Sequence, residues 1–488
     1  MIKAHNLYSA EQTRELDRLA IEQGTDGYAL MNRAGRAVLD NITRRWPDAK
    51  QLAIFCGAGN NAGDGYVVAR LAHQQGLVAH VYTLSEPARL NGEAQQAWED
   101  CKQLDLTIEP FVSGMHRDTD VVVDALVGTG LQRPLADQWL QAVDCINVSP
   151  WPVVAVDIPS GINADNGRVM GAAVRADITV SFIGLNRGLF TAEAPEYTGE
   201  IIYEDLEVPE ICYESVATNT FLMDDGIIQH FHPRSRIVHK GQCGHVLVIG
   251  GNSGMAGAPL LAGRAALRSG AGLVSVATRP QNSIGMVSAQ PELMVHGIED
   301  VRDVDRLIDK ASVIVIGPGL GQDSWAHGLL DRVMQSRKPM VVDADGLTLL
   351  AHEPARCESW VLTPHVGEAA RLMASTNDDV SNDRFSAVAQ IQQQYGGVVV
   401  LKGAGTLVCS PDIRVCPYGN PGMATAGMGD ILSGIIGALM AQGLPQARAA
   451  ELAVWAHARA GDIEAEANGE RGMVAGDILN RLRTVLNG

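Results

Sequence analysis

No Cys-x-x-Cys pair and no metal-ligand spacing occurs among the eight cysteines, Cys56, Cys101, Cys145, Cys212, Cys243, Cys357, Cys409 and Cys416. Neither a zinc site nor a disulfide framework is indicated, and the thiols read as small buried hydrophobes in a reducing compartment. The N-terminus lacks a basic segment followed by an apolar run, and no stretch approaches the ~18 apolar residues of a membrane helix. Positive charge is in deficit: 38 Lys and Arg face 56 Asp and Glu, a net charge of −18. That balance repels nucleic acid and anionic membrane surfaces, so a cytoplasmic protein with neither as a partner is expected. A Gly-x-x-x-x-Gly-Lys-Ser/Thr motif is missing, which excludes a P-loop ATPase, and the glycines of the first half do not make a Gly-x-Gly-x-x-Gly fingerprint.

What is present is length and apolar content. At 488 residues and 46% hydrophobic, the chain can bury two or three cores, and two large domains, 1–215 and 220–488, are the simplest count. Ser9 and Gln12 suggest a capping box, Leu16, Leu19 and Ala20 form a helical stripe, and a second helix carries Leu30, Met31, Ala34, Val38 and Ile42. The period then changes to strands at 51–56, 78–83, 120–124, 152–157 and 177–182, with a glycine-rich loop at 57–65 and a helix from near Tyr66. Strands at βαβ intervals predict an α/β fold with a doubly wound, Rossmann-like parallel sheet. Ligands of such sheets bind outside the carboxyl ends of the strands, which is where Asn60, Asn61, Asp64, Asp124 and Asp157 fall. Each alone reads as turn or cap chemistry; together they make a site the better reading. Amide, carboxylate and hydroxyl oxygens could hold a monovalent cation, while glycine amides take a pyrophosphate and a second carboxylate serves as acid and base.

Periodicity weakens over 195–236, where a last strand is expected at 203–208, a boundary near residue 215 and a lead-in helix at 220–233. A second α/β domain follows, with strands at 245–249, 272–278, 312–316, 340–345, 360–362 and 397–401, each ending in glycine or a polar group. Gly427 and Gly429 precede the apolar stretch 431–440, so a helix N-terminus points its free N–H groups and positive dipole end at a glycine loop, an arrangement suited to phosphate. Asp430 is there either a base beside that phosphate or an ordinary N-cap.

Thr-Pro-His-Val-Gly-Glu at 363–368, Lys-Gly-Ala-Gly-Thr at 402–406 and Asn-Pro-Gly-Met-Ala-Thr-Ala-Gly-Met-Gly-Asp at 420–430 together resemble the ADP-dependent NAD(P)H-hydrate dehydratase branch of the ribokinase-like superfamily. Gly-Ala-Gly-Asn-Asn-Ala-Gly-Asp-Gly at 57–65, Gly-Thr-Gly-Leu-Gln-Arg-Pro at 128–134 and Asp-Ile-Pro-Ser-Gly at 157–161 resemble NAD(P)H-hydrate epimerase domains. Both sets in one chain, epimerase first, resemble the bifunctional NAD(P)H-hydrate repair enzymes over nearly the whole length. The resemblance implies an N-terminal epimerase that interconverts the R and S hydrates of NADH and NADPH (NADHX, NADPHX), and a C-terminal ribokinase-like dehydratase. The latter restores the S hydrate at the expense of ADP, giving AMP and phosphate.

By that resemblance Asp430 takes the proton of the ring hydroxyl as it attacks the β-phosphate of ADP. Lys402, Gly403, Ala404, Gly405, Thr406 and Gly429 contact the nucleotide, with magnesium bridging the phosphates, and Ala258, Gly321, His365 and Asp430 line the hydrate site. In the first domain Asn61, Asp124 and Ser160 would hold potassium. The dinucleotide would lie against Asn60, Asn61, Ala62, Gly63, Asp64, Gly128, Thr129, Gly130, Leu131, Gln132, Arg133, Pro134 and Asp157, with Asp157 as acid/base group. Homo-oligomerisation is compatible with the resemblance. Two alternatives stand beside it: a kinase of a small alcohol, since the same fold and Gly-x-Gly-Asp serve simple phosphorylation, and an N-terminal domain that binds a dinucleotide without catalysis.

Overall fold

The computed structural model describes residues 5–104, 106–114 and 118–487, and the chain divides into two compact units, Met1–Phe221 and Leu222–Gly488.

In the first unit, seven strands lie in the order Thr107–Pro110, Val78–Thr83, Gln51–Cys56, Val121–Ala125, Val153–Val156, Ile178–Phe182 and Glu200–Glu204. Every neighbouring pair is parallel. Their apolar runs follow from burial on both faces, as parallel crossovers require. The chain steps outward from Gln51–Cys56 in one direction and then returns to Val121–Ala125 on its other side. Loops leaving these two strands therefore diverge, and the crevice between them is the topological switch point at which α/β sheets bind ligands. The helix Ala10–Glu22 begins at Ser9 with the expected capping box and buries Leu16 and Ala20.

The second unit carries nine strands in the order Met294–Gly297, Leu273–Thr278, His245–Ile249, Val313–Ile316, Met340–Val342, Trp360–Leu362, Val398–Leu401, Thr406–Cys409 and Ile413–Cys416. The first seven are parallel and the last two antiparallel. The switch point lies between His245–Ile249 and Val313–Ile316, whose loops touch through backbone: Gly251 N donates to Pro318 O at 3.1 Å and Asn252 N to Gly319 O at 2.7 Å. The helix Met428–Ala441 is buried from Ile431 to Met440, which accounts for Ser433 being the one polar side chain in that stretch. Among the described residues no helix is long and apolar enough to cross a membrane.

Four local expectations differ from the structure. The glycine-rich stretch at 57–65 is not all loop, because the helix Asn60–Gln74 starts six residues before Tyr66 from an N-cap at Gly59 with φ 76°. Met340–Val342 is cut short by Asp343, the N-cap of helix Ala344–His352. In place of a lead-in helix at 220–233 there is the short strand Thr220–Leu222 and a 3₁₀ turn Asp225–His230 whose Gly226 N–H is held by the Asp224 carboxylate at 3.1 Å. The last strand of the first sheet is Glu200–Glu204, with the short helix Glu210–Ser215 after it.

Candidate functional site

At the first switch point a cavity of about 410 Å³ opens. It gathers Asn60, Asn61 and Asp64 from the first turns of helix Asn60–Gln74, Gly128, Thr129 and Gly130 from the next loop, and Asp157. Asp157 follows strand Val153–Val156 with φ 69°, a conformation few non-glycine residues adopt, and its Oδ2 accepts from Thr129 N at 3.3 Å. A Cβ built on Gly128 would stand 3.0 Å from both Asn61 Oδ1 and Asp157 Oδ2, so these two side chains converge over that glycine. Burial pushes the Asp157 carboxyl up to about 7, against the Thr129 hydrogen bond and with help from the Asp17 charge. Asp64 is raised well above the carboxylate range by burial and by Asp157 and Asp17.

Beside this cavity, Asp124 and Ser160 are fully buried and tied together. Ser160 Oγ donates to Asp124 Oδ1 at 2.6 Å, Ser160 N to Asp124 Oδ2 at 2.8 Å, and Leu126 N to Asp124 Oδ1 at 3.2 Å. Even so, burial holds the Asp124 carboxyl up at about 6. Ala62 and Gly63 are buried in the helix, with Gly63 packed against Met31. Leu131 packs into an apolar cluster, Gln132, Arg133 and Pro134 are exposed, and none of these four lines the cavity. The structure adds Thr13, Arg14, Asp17 and Glu93, which helices distant in sequence bring to the wall.

In the second unit Lys402 Nζ lies 2.9 Å from Asp343 Oδ1 and 3.8 Å from Glu368 Oε2. Ser433 Oγ donates to Asp343 Oδ2 and also to Gly429 O, the latter at 2.8 Å. A Cβ on Gly429 would come within 3.2 Å of Lys402 Nζ, so this first-turn glycine rests on the ammonium. Burial opposes the Asp343 charge, but Lys402 and the hydroxyl donors outweigh it and hold this carboxyl below its usual range. Asp430 does not cap its helix: Gly427, at φ 93°, is the N-cap, and Asp430 sits in the first turn. Burial, with the Asp343 charge added and Lys402 opposing, brings its carboxyl up to about 7.

The turn from Lys402 to Thr406 is shaped from beneath by Arg384. This buried guanidinium donates to Ala404 O, to Leu401 O at 3.2 Å and to Lys402 O at 3.3 Å, while Thr406 Oγ1 donates to Gly403 O at 2.9 Å. Asn420 holds its own loop, taking Gly422 N at 3.0 Å and donating to Asp462 at 3.0 Å. His365 is the N-cap of helix Val366–Leu372, its Nδ1 accepting from Gly367 N at 2.9 Å and Glu368 N at 3.3 Å. Gly321 N donates to Asp345 Oδ2 at 2.8 Å, and the methyl of Ala258 lies 3.3 Å from a Cβ built on Gly319. A cavity of about 510 Å³ includes Asp345 and Glu368 in its lining, connecting the neighbours of Gly321 and of His365. Asp343, Arg384 and Ser433 are polar groups here that motif reading did not single out, and Glu368, which closes the motif at 363–368, had no role assigned to it.

A family model described as NAD(P)H-hydrate dehydratase matches residues 246–483, and one described as YjeF-related protein N-terminus matches 27–188. The bifunctional NAD(P)H-hydrate repair enzyme Nnr of Coxiella burnetii is 47% identical, with 99% of each chain covered. Among solved structures, a ribokinase-like superfamily protein of Enterococcus faecalis is similar at 29% identity and TM-score 0.52, over 56% of this chain and 96% of its own. An ADP/ATP-dependent NAD(P)H-hydrate dehydratase of Bacillus subtilis, co-crystallised with ATP and Mg²⁺, is similar at 26% identity and TM-score 0.50, over 54% and 96%.

Proposed function

The chain belongs to the bifunctional NAD(P)H-hydrate repair enzymes, and from that premise we propose how its own residues divide the two reactions. The observation that carries the reading is Asp430 in the first turn of a helix whose neighbouring first-turn residue, Gly429, rests on the Lys402–Asp343 pair. The free N–H groups and dipole of that helix suit the phosphates of ADP, and Lys402 adds a fixed cation. Asp430, near 7, is poised to take the proton of the ring hydroxyl as its oxygen attacks the β-phosphate. AMP leaves as that bond forms; the ring nitrogen then expels the phosphorylated oxygen as phosphate, giving a C=N bond, and loss of a proton from the adjacent ring carbon restores the C=C bond of NAD(P)H. The turn from Lys402 to Thr406 and Gly429 would cradle the nucleotide; Ala258, Gly321 and His365 would border the hydrate.

Magnesium finds no protein cage: among the described residues no group of three His, Cys, Asp or Glu could hold a metal, and Asp343 is engaged by Lys402 and Ser433. An ion carried by the nucleotide phosphates fits better, where it would offset their charge.

Residues 1–215 would carry the epimerase and 220–488 the dehydratase. In the former, Asp157 stands as acid/base group in a cavity with room for the hydrated ring. Potassium would suit the hard oxygens of Asn61, Asp124 and Ser160, where the fully buried Asp124 carboxylate is met by the neutral donors Ser160 and Leu126. The test of the dehydratase reading is product analysis with the S hydrate and ADP. Equal AMP, inorganic phosphate and reduced nicotinamide are expected; a stable phosphate ester would identify a small-alcohol kinase.

A further inference from the structure

Four carboxylates line the first-unit cavity, Asp17, Asp64, Glu93 and Asp157, against one guanidinium, Arg14. Burial and mutual repulsion favour the protonated form of Asp17, Asp64 and Asp157 among them. Asp17 and Asp157 reach the cavity from different elements. Thr13, Arg14, Asp17 and Ile21 lie along the cavity-facing side of helix Ala10–Glu22, whereas Asp157 stands at the end of strand Val153–Val156. An independent sign that this space takes a polar ligand is Asn61. It lines the cavity, is only 8% exposed, and its Nδ2 has no hydrogen-bond partner. The Asp17 carboxyl is itself raised, by burial and then by the Glu93 charge, and it feeds back on Asp157.

We propose that Asp17 is the second acid/base group of this cavity, working with Asp157 on opposite faces of the hydrated nicotinamide ring. The assignment rests on the epimerase reading above and adds a catalytic residue to it. In one direction the protonated carboxyl gives its proton to the ring hydroxyl. The C–O bond breaks as the ring-nitrogen lone pair forms a C=N bond, and water leaves on that face. The opposite carboxylate takes a proton from a water whose oxygen bonds to the same carbon, and the C=N pair returns to nitrogen. One proton enters and one leaves, nothing is oxidised, and the carbon is inverted. The two carboxyls end with their protonation exchanged, which is the state required for the reverse reaction.

The test uses the full chain with each hydrate in ¹⁸O-water, without ADP so that dehydration is silent. The native protein inverts the ring carbon and places labelled oxygen in the product epimer. Asp17→Asn should lower inversion at least about 10²-fold. The epimer whose hydroxyl faces Asp157 should still exchange its oxygen with retention, because one carboxyl suffices on one face. Asp17→Glu, which keeps the acid, should recover inversion. Inversion at the native rate in Asp17→Asn would overturn the proposal, as would loss of inversion and exchange together, the mark of a merely structural role. A native chain that does not epimerise would instead overturn the epimerase reading, and this assignment with it.

Discussion

Lys402 Nζ and Asp343 Oδ1 are 2.9 Å apart although 59 positions separate them in the chain. Each follows a parallel strand, and the strand Trp360–Leu362 lies between the two, so the pair exists only once three strand ends are aligned. It fixes an ammonium beneath Gly429, where a phosphate charge would be met.

Lys402→Met leaves Asp343 as a buried carboxylate without its cation. The native pair lowers the Asp343 carboxyl, so its stabilisation is present above the unfolded-state value and is lost as pH falls. The variant should lose about 3–5 kcal/mol at pH 8, the range for breaking a buried pair. The deficit should shrink toward pH 5, where the stranded carboxyl can take a proton. Denaturant unfolding at the two pH values measures this.

Asp430→Asn should keep ADP binding and lower dehydration by roughly 10² to 10⁴. With the native carboxyl near 7, kcat/KM should fall about tenfold per pH unit below pH 7 and level off above it. The sign for stability is opposite. A raised carboxyl disfavours the folded state increasingly as pH rises through its folded value, so the variant should melt higher than the native protein at pH 8 and equally at pH 4. Absorbance assays and thermal melts across pH check both.

Gly128→Ala places a methyl 3.0 Å from Asn61 Oδ1 and Asp157 Oδ2. Epimerisation should drop at least about tenfold, as expected when reacting groups are displaced. Dehydration of the S hydrate in the same preparation should be unchanged, which chiral chromatography with and without ADP resolves.

Arg384→Ala removes the donor shared by Leu401 O, Lys402 O and Ala404 O. Its KM for ADP should rise more than its kcat falls, with a stability loss of about 2–4 kcal/mol for the stranded carbonyls. Arg384→Lys should rescue little, because an ammonium lacks the planar fork. Steady-state kinetics over ADP concentration separate the two effects.

The parts of the sites that motifs revealed are those made by backbone. Gly427 at φ 93° and the turn after Lys402 announce themselves because glycine has few other reasons to recur at a strand end. Asp17, Arg14 and Glu93 left no such trace, since each sits on an ordinary amphipathic helix and reaches the cavity only through packing. Arg384 reads as one more charge at a helix start, and its burial follows from a turn that lies 18 residues ahead. The early start of helix Asn60–Gln74 was hidden by residues of low helix propensity, which tertiary packing of Ala62, Gly63 and Gly65 overrides. The 3₁₀ turn near 225 lacked the length for a periodic signal.

The most direct measurement supplies the R hydrate alone, with ADP, magnesium and potassium, and follows reduced-nicotinamide absorbance. Recovery from R needs both units in turn. Native protein should restore the absorbance, Asp430→Asn should equilibrate the epimers without restoring it, and Asp157→Ala should leave R untouched beyond the uncatalysed background. Mixing the two variants should bring recovery back. Native-rate recovery of R by Asp157→Ala alone, or any ADP-dependent recovery by Asp430→Asn near the native rate, would contradict two-site repair as assigned.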